Sequence, residues 1–182
     1  MVSRSKLLLG SSALMLGLLI AAPRPSQAQS TGLVPLRVKV GALLPTQNNT
    51  KDNAGSVIPS AEVDVRIPAI LGANFVSVGI QSRSKDGGRL TVVPLTLSRT
   101  FQPPNPVGRL TGSPYFGVGA GPYFLKGRRD GESNDKVTVG AFGQVGYQFP
   151  SKLFVEAKYQ LVAGKSAGLS ANGIALFVGR SF

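Results

Sequence analysis

Glu62 and Asp64 have the clearest capacity for chemistry in this chain, since two carboxylates can divide acid and base work between them. At i and i+2 of an extended segment they share one face, roughly 6.5–7 Å apart. That face also carries Arg66, and the segment before it presents Arg37 and Lys39 in the same phase. So many cations beside the pair favour a structural charge network over catalysis, and Glu156 and Lys158 extend the same mixed-charge face further along the chain. Histidine and cysteine are both absent. Their absence removes the usual general base, the commonest metal ligand and any thiol for attack or for a disulfide. Asp130, Glu132 and Asp135 could offer oxygen ligands to a hard cation, but Arg128, Arg129 and Lys136 stand among them. No catalytic residue, metal or cofactor is therefore expected, and the chain does not read as an enzyme.

Gly117, Gly119 and Gly121 need a separate reading. Their spacing is not the G-x-G-x-x-G of a dinucleotide site, and no helical pattern follows them. Glycines at i, i+2 and i+4 lie on one strand face, where they would make room inside a narrow structure.

The elements that must position these residues begin after a targeting segment. Arg4 and Lys6 precede an apolar run from Leu7 to Ala22, and Ser26 and Ala28 suit a small-residue cleavage site. Residues 1–28 thus read as a removable signal peptide and 29–182 as one mature domain. The formal charge of +12 drops when Arg4, Lys6 and Arg24 leave with the signal, yet the chain stays basic. The basic residues are scattered and the chain is exported, which suits anionic lipid headgroups better than nucleic acid. Beyond residue 29 no stretch is apolar for long enough to cross a membrane as a helix, so any span must be built from strands.

Period-2 alternation runs from residue 34 to the C-terminus, and no segment shows a convincing helical period. Eight strands are predicted, at about 34–44, 61–69, 75–83, 89–101, 115–125, 137–149, 152–163 and 172–182. Several set valine, isoleucine or leucine on one face and charge on the other, as Val63, Val65 and Ile67 stand against Glu62, Asp64 and Arg66. In a barrel the charges would fill the lumen while lipid covers the apolar face. The connections alternate in length. Loops are predicted at 45–60, 84–88, 126–136 and 164–171, with tight turns at 70–74 and Pro150-Ser151. The long Pro-rich segment 102–114 is the exception, and an even strand count puts it on the side of the short turns.

The aromatic residues gather at the strand ends on that same side. Phe75, Phe101, Phe116, Tyr147, Phe149 and Phe182, with Tyr115 and Phe154, read as an interfacial girdle. Pro94 is the main obstacle, because a closed barrel has no edge strand to accommodate it. The apolar phase changes from Leu90 and Val92 to Val93, Leu95 and Leu97, which predicts a β-bulge at that point.

The segment Tyr115-Phe-Gly-Val-Gly-Ala-Gly-Pro-Tyr-Phe124 resembles the aromatic–glycine strand of OmpA/OmpX/OmpW-like barrels. Phe154-Val-Glu-Ala-Lys-Tyr159 resembles the aromatic and acidic strand that follows it in such proteins. The last ten residues, with Ile174, Leu176, Val178 and Phe182 in phase, look like the C-terminal β-signal read by the barrel-assembly machinery. Arg180 departs from that pattern by occupying an outward position, as Arg99 does two residues before Phe101.

The reading is an all-β, eight-stranded antiparallel transmembrane β-barrel with an up-and-down meander, located in an outer membrane after export. Its partners would be outer-membrane lipid and, during biogenesis, the barrel-assembly machinery, with no nucleic acid and a monomeric state. A non-enzymatic structural or surface-interaction role leads. A narrow pore or hydrophobic-ligand conduit and a soluble exported β-sandwich are the alternatives.

Overall fold

The computed structural model describes residues 36–85, 87–103, 112–129 and 132–182, so the predicted signal peptide lies outside the described residues. Eight long strands form a closed ring: β1 (Leu36–Pro45), β2 (Ile58–Ile70), β3 (Ala73–Lys85), β4 (Gly88–Phe101), β5 (Ser113–Arg129), β6 (Glu132–Gln148), β7 (Leu153–Val162) and β10 (Gly173–Ser181). Two short strands, β8 (Lys165–Ser166) and β9 (Leu169–Ser170), form a separate hairpin between β7 and β10. Every barrel pairing is antiparallel between neighbours along the chain, and β1 closes the ring on β10 from Arg37↔Ser181 to Pro45↔Gly173. The fold is an eight-stranded up-and-down antiparallel β-barrel. Closure satisfies the backbone groups of both terminal strands and leaves no sheet edge.

Leu36 and Ser181 define a near end, where the reversals are tight. Leu71 and Gly72, with φ of 51° and 80°, join β2 to β3 as a two-residue turn of the kind that needs positive φ at both positions. Between β6 and β7, Lys152 N–H donates to the Phe149 carbonyl at 3.0 Å. The connection from β4 to β5 is the long exception, and its residues 104–111 are outside the described set.

The far end is more built up than the sequence suggests. Residues Asn48–Ala54, within the predicted loop 45–60, form a short helix, α1. Only Thr50 and Ala54 are buried on it, so it carries no apolar stripe for a periodicity argument to detect. Tertiary contacts hold it instead. The Thr50 hydroxyl donates to the Ser170 carbonyl at 3.1 Å and accepts from the Ser170 N–H at 2.9 Å. Of the predicted loop 126–136, residues 126–129 and 132–136 are strand, with β5 and β6 paired out to Arg129↔Glu132. The β8–β9 hairpin leans on this arm through the Ser166 hydroxyl, which accepts from Gly127 N–H and donates to the Asn134 carbonyl.

Pro94 is accommodated without the predicted bulge. Pairs Val78↔Leu95 and Gln81↔Val92 on either side of it keep one register, and the ladder lapses only between them, as a residue without N–H requires. Its buried ring faces Gly79, where an added Cβ would lie 3.1 Å from Pro94 Cγ. The register shift falls elsewhere, between Arg66 and Ile70 of β2, a stretch that contains Pro68. Strand β4 alternates without interruption, with Leu90, Val92, Pro94, Thr96 and Ser98 all buried. The apparent change of phase reflects what the lumen contains, not a change in the strand.

Inside the barrel, large rings lie across glycines on the adjacent strand. Tyr115 faces Gly146, Phe142 faces Gly119 and Phe154 faces Gly179 in direct cross-strand register. A Cβ built at those glycines would fall 2.3–2.4 Å from the ring atoms opposite. Glycine is required here for space, which gives Gly119 its role in the 117–121 run. Gly143 faces outward with nothing within 4 Å of an added Cβ. Gly119→Ala should therefore destabilise the refolded barrel by about 1–3 kcal/mol through displacement of Phe142, whereas Gly143→Ala should leave it unchanged. The midpoint of the heat-induced mobility shift on SDS gels reads both.

Candidate functional site

Alternation brings five of the predicted network residues onto the lumen wall around Lys39. Cross-strand register sets Arg37 beside Asp64 and Lys39 beside Glu62 on β1 and β2, while β7 contributes Glu156 and Lys158. All six side chains surrounding this point are buried, with Lys39 only 1% exposed. Lys39 Nζ lies 2.7 Å from Glu156 Oε1, 2.9 Å from Glu62 Oε1 and 3.0 Å from Asp64 Oδ2. Its three donors thus meet three carboxylates. Lys158 also pairs with Glu62. Arg37 Nη2 donates to the Tyr115 hydroxyl at 2.6 Å, and that hydroxyl donates to Glu156 Oε2 at 2.9 Å.

Three cations and three carboxylates make the cluster neutral overall. It also ties the walls together, since β1 and β5 are diametrically opposite in the ring. Aromatic faces complete the cation shells. Arg37 Cζ sits 4.0 Å from the Phe154 ring centroid and 4.7 Å from that of Tyr115, and Lys158 Nζ sits 4.3 Å from that of Phe142. Each of the three carboxylates is engaged by an ammonium or guanidinium group inside the barrel, so the cluster is a structural charge network. Arg37 Nε and Asp64 Oδ1 are buried without a hydrogen-bond partner.

Arg66 is not among these residues. It shares the phase of Glu62 and Asp64 but is exposed at the near end of β2, beyond the reach of the cluster. Tyr115, Phe154 and Phe75 also differ from the girdle reading. Tyr115 and Phe154 are buried in the lumen, and Phe75 follows the inward phase of Ser77, with Arg37 Cζ 5.7 Å from its ring centroid. Strand phase carried this signal, because Tyr115 is in step with Gly117 and Phe154 with Glu156, whereas position at a strand end concealed it. Phe101, Phe116, Tyr147, Phe149 and Phe182 remain at the near end. Phe101 stacks on Phe116 at 5.2 Å, and Tyr147 meets Phe149 edge-on at 5.1 Å. Phe116, Phe149 and Phe182 are exposed there.

Toward the far end the lumen becomes apolar. Leu43, Ile58, Leu90, Val92, Tyr123, Leu125, Val162, Leu169 and Phe177 form a buried cluster with Ala54 of α1. Gln81 and Gln160 lie on the lumen wall as a reciprocal amide pair at 3.1 Å, and Gln160 Nε2 also donates to the Ala171 carbonyl at 2.6 Å.

The exterior reverses the usual order of a globular protein. Val40 is 57% exposed, Val139 68% and Leu161 52%, and Val78, Ile80, Val118, Val145, Val155, Leu176 and Val178 are exposed with them. Such a belt far exceeds the scattered apolar residues of a soluble surface and matches a wall that faces hydrocarbon. Interior charge and exterior hydrocarbon together define the class, a transmembrane β-barrel of the small, filled kind. Ile174, Leu176, Val178 and Phe182, the positions read as resembling a β-signal, all face outward on or next to β10.

No protein-family model matches the chain, and no curated relative does. Two solved structures are similar. One is the N-terminal β-barrel domain of Pseudomonas aeruginosa OprF, 12% identical, with a TM-score of 0.46 over 81% of this chain and 97% of that one. The other is Neisserial surface protein A, 11% identical, with a TM-score of 0.44 over 81% of this chain and 92% of that one.

Removing the central cation tests the cluster. Lys39→Met should cost about 3–5 kcal/mol, because three carboxylates lose their shared partner while remaining buried. Arg66→Gln should change stability by no more than about 0.5 kcal/mol, as expected for an exposed residue outside the cluster. Urea unfolding of the refolded protein, followed by far-UV circular dichroism, gives both values.

Proposed function

We propose that the chain is a non-enzymatic outer-membrane β-barrel whose contribution is structural and whose far end makes contacts outside the cell. The observation carrying this reading is the inversion of polarity, with a buried ion cluster inside and a belt of exposed valine, leucine and isoleucine outside. A barrel interior occupied by the Lys39 cluster and, beyond it, by the apolar far-end cluster favours a structural role over conduction. On this reading the near end, with its tight turns and exposed aromatics, faces the periplasm. The far end presents α1, the β5–β6 arm and the β8–β9 hairpin to the exterior, a division that follows the usual asymmetry of short inner turns and longer outer loops. Export by the 1–28 signal, insertion by the barrel-assembly machinery and a monomeric state in outer-membrane lipid belong to the same proposal.

The cysteine-free sequence makes the test clean. Single variants Lys165→Cys at the far end and Lys152→Cys at the near end should react oppositely with a membrane-impermeant maleimide on intact cells. Lys165→Cys should label at once, and Lys152→Cys only after permeabilisation. Equal labelling would remove the orientation. A protein soluble without detergent and showing no heat-dependent gel shift would overturn the membrane reading itself.

A further inference from the structure

The lipid-facing wall carries a cation without an acidic neighbour, and a shallow groove starts beside it. Arg180 of β10 is exposed on the outward phase, flanked in register by Val38 of β1 and Leu153 of β7. Its guanidinium carbon lies 5.5 Å from the Phe182 ring centroid. Lys152 is adjacent, because Ser181 N–H donates to the Lys152 carbonyl at 2.9 Å. No Asp or Glu occurs among the described near-end residues 66–76, 98–103, 112–116, 147–154 and 178–182. The two cations therefore stand at the edge of the apolar belt with no Asp or Glu side chain of the described wall to meet them.

The groove is lined by Val38, Val40, Leu153, Val155, Val178 and Phe182, with Arg180 among them. Register explains its course. Behind the row Val38–Arg180–Leu153 comes a row of three valines, Val40–Val178–Val155, and then Ala42–Leu176–Ala157. Beside Leu176 the small Ala157 leaves room, and a second groove continues there past Val145 and Ala157. From Arg180 to Leu176 the track covers four residues of strand, about 13 Å. It leads from the cationic edge toward the middle of the belt.

We infer that this face of β1, β10 and β7 binds an anionic glycerophospholipid. Its phosphate would be held by Arg180 with Lys152 beside it, and an acyl chain would lie along the valine and alanine track. The planar fork of a guanidinium matches two phosphate oxygens in parallel, a fixed geometry that an ammonium lacks. The track explains why the ligand is a lipid and not free phosphate: phosphate chemistry occupies one end and hydrocarbon the rest. This site rests on the membrane reading above, and it asks more than that reading does. Arg99, a second outward arginine at the near end among the described residues, is the internal control. It lies on β4 with its guanidinium carbon 4.9 Å from the Phe101 ring centroid, and it does not line the groove.

The experiment is native mass spectrometry of the detergent-refolded full chain with equimolar phosphatidylglycerol and phosphatidylcholine. The wild type should retain phosphatidylglycerol by about fivefold over phosphatidylcholine, the scale of one basic side chain acting on an anionic headgroup. Arg180→Gln should bring the ratio close to one, Arg180→Lys should keep a reduced preference, and Arg99→Gln should leave the wild-type ratio unchanged. Glycerol 3-phosphate in excess should not displace the lipid. The site is overturned by an absent preference in the wild type, by equal losses in Arg180→Gln and Arg99→Gln, or by displacement with glycerol 3-phosphate. Each variant is first checked for the heat-dependent gel shift. A wild-type protein lacking that shift would instead overturn the membrane reading on which the site rests.

Discussion

A single buried ammonium, that of Lys39, organises the near half of this barrel. Taking an ammonium ion out of water is costly unless its donors are all met, and here three carboxylates from two strands meet them. The carboxylates have the converse need, which Lys158, Arg37 and the Tyr115 hydroxyl supply. Lys39 is the shared member, and Asp64 has its ion pair with it, so removing Lys39 leaves that carboxylate buried and unpaired. The cluster therefore specifies how β1, β2, β5 and β7 face one another, and it does so from inside a ring whose backbone bonds are already complete. Charge fixes the arrangement across the lumen, where the ladder of backbone bonds has no influence.

The rest of the interior follows from the space this cluster needs. Long charged side chains and three aromatic rings fit within eight strands only because glycines stand across from the rings, at Gly119, Gly146 and Gly179. Further along, the lumen has no charges to satisfy, and leucine, isoleucine and valine fill it beneath α1. The barrel is thus two materials in series, an ionic half and an apolar half, inside one apolar sleeve.

That division explains what could and could not be seen in the sequence. Where the lumen is ionic, alternation separates the faces cleanly, so Glu62 and Asp64 against Val63 and Val65 read correctly as inside and outside. Where the lumen is apolar, both faces are apolar and alternation loses its contrast. Strand β4 crosses from one zone to the other, so Leu90 and Val92 point inward while Leu95 and Leu97 point outward. Read from sequence this resembles a bulge, although the strand is regular. Phe75, Tyr115 and Phe154 illustrate the opposite error, since an aromatic at a strand end suggests an interface even when its phase points inward. Helix α1 was illegible for another reason: its stability comes from Ser170 and the β8–β9 hairpin, residues more than a hundred positions away. Arg66 shows the limit of phase itself, which gives a side but not a depth.

A lumen so fully committed to its own charges moves function to the surfaces. An enzyme keeps at least one reactive group short of its partners so that substrate can complete the set. Here each lumenal carboxylate already faces a cation, and rings and aliphatic side chains pack around the cluster. Other features lie at the surfaces: on the outward wall Arg180 has no Asp or Glu side chain beside it, and at the far end α1 packs Ala54 onto the apolar cluster while the β5–β6 arm extends beyond it. The interior's self-sufficiency is what makes that division possible, because a wall braced from within can vary its lipid face and its loops without losing its shape.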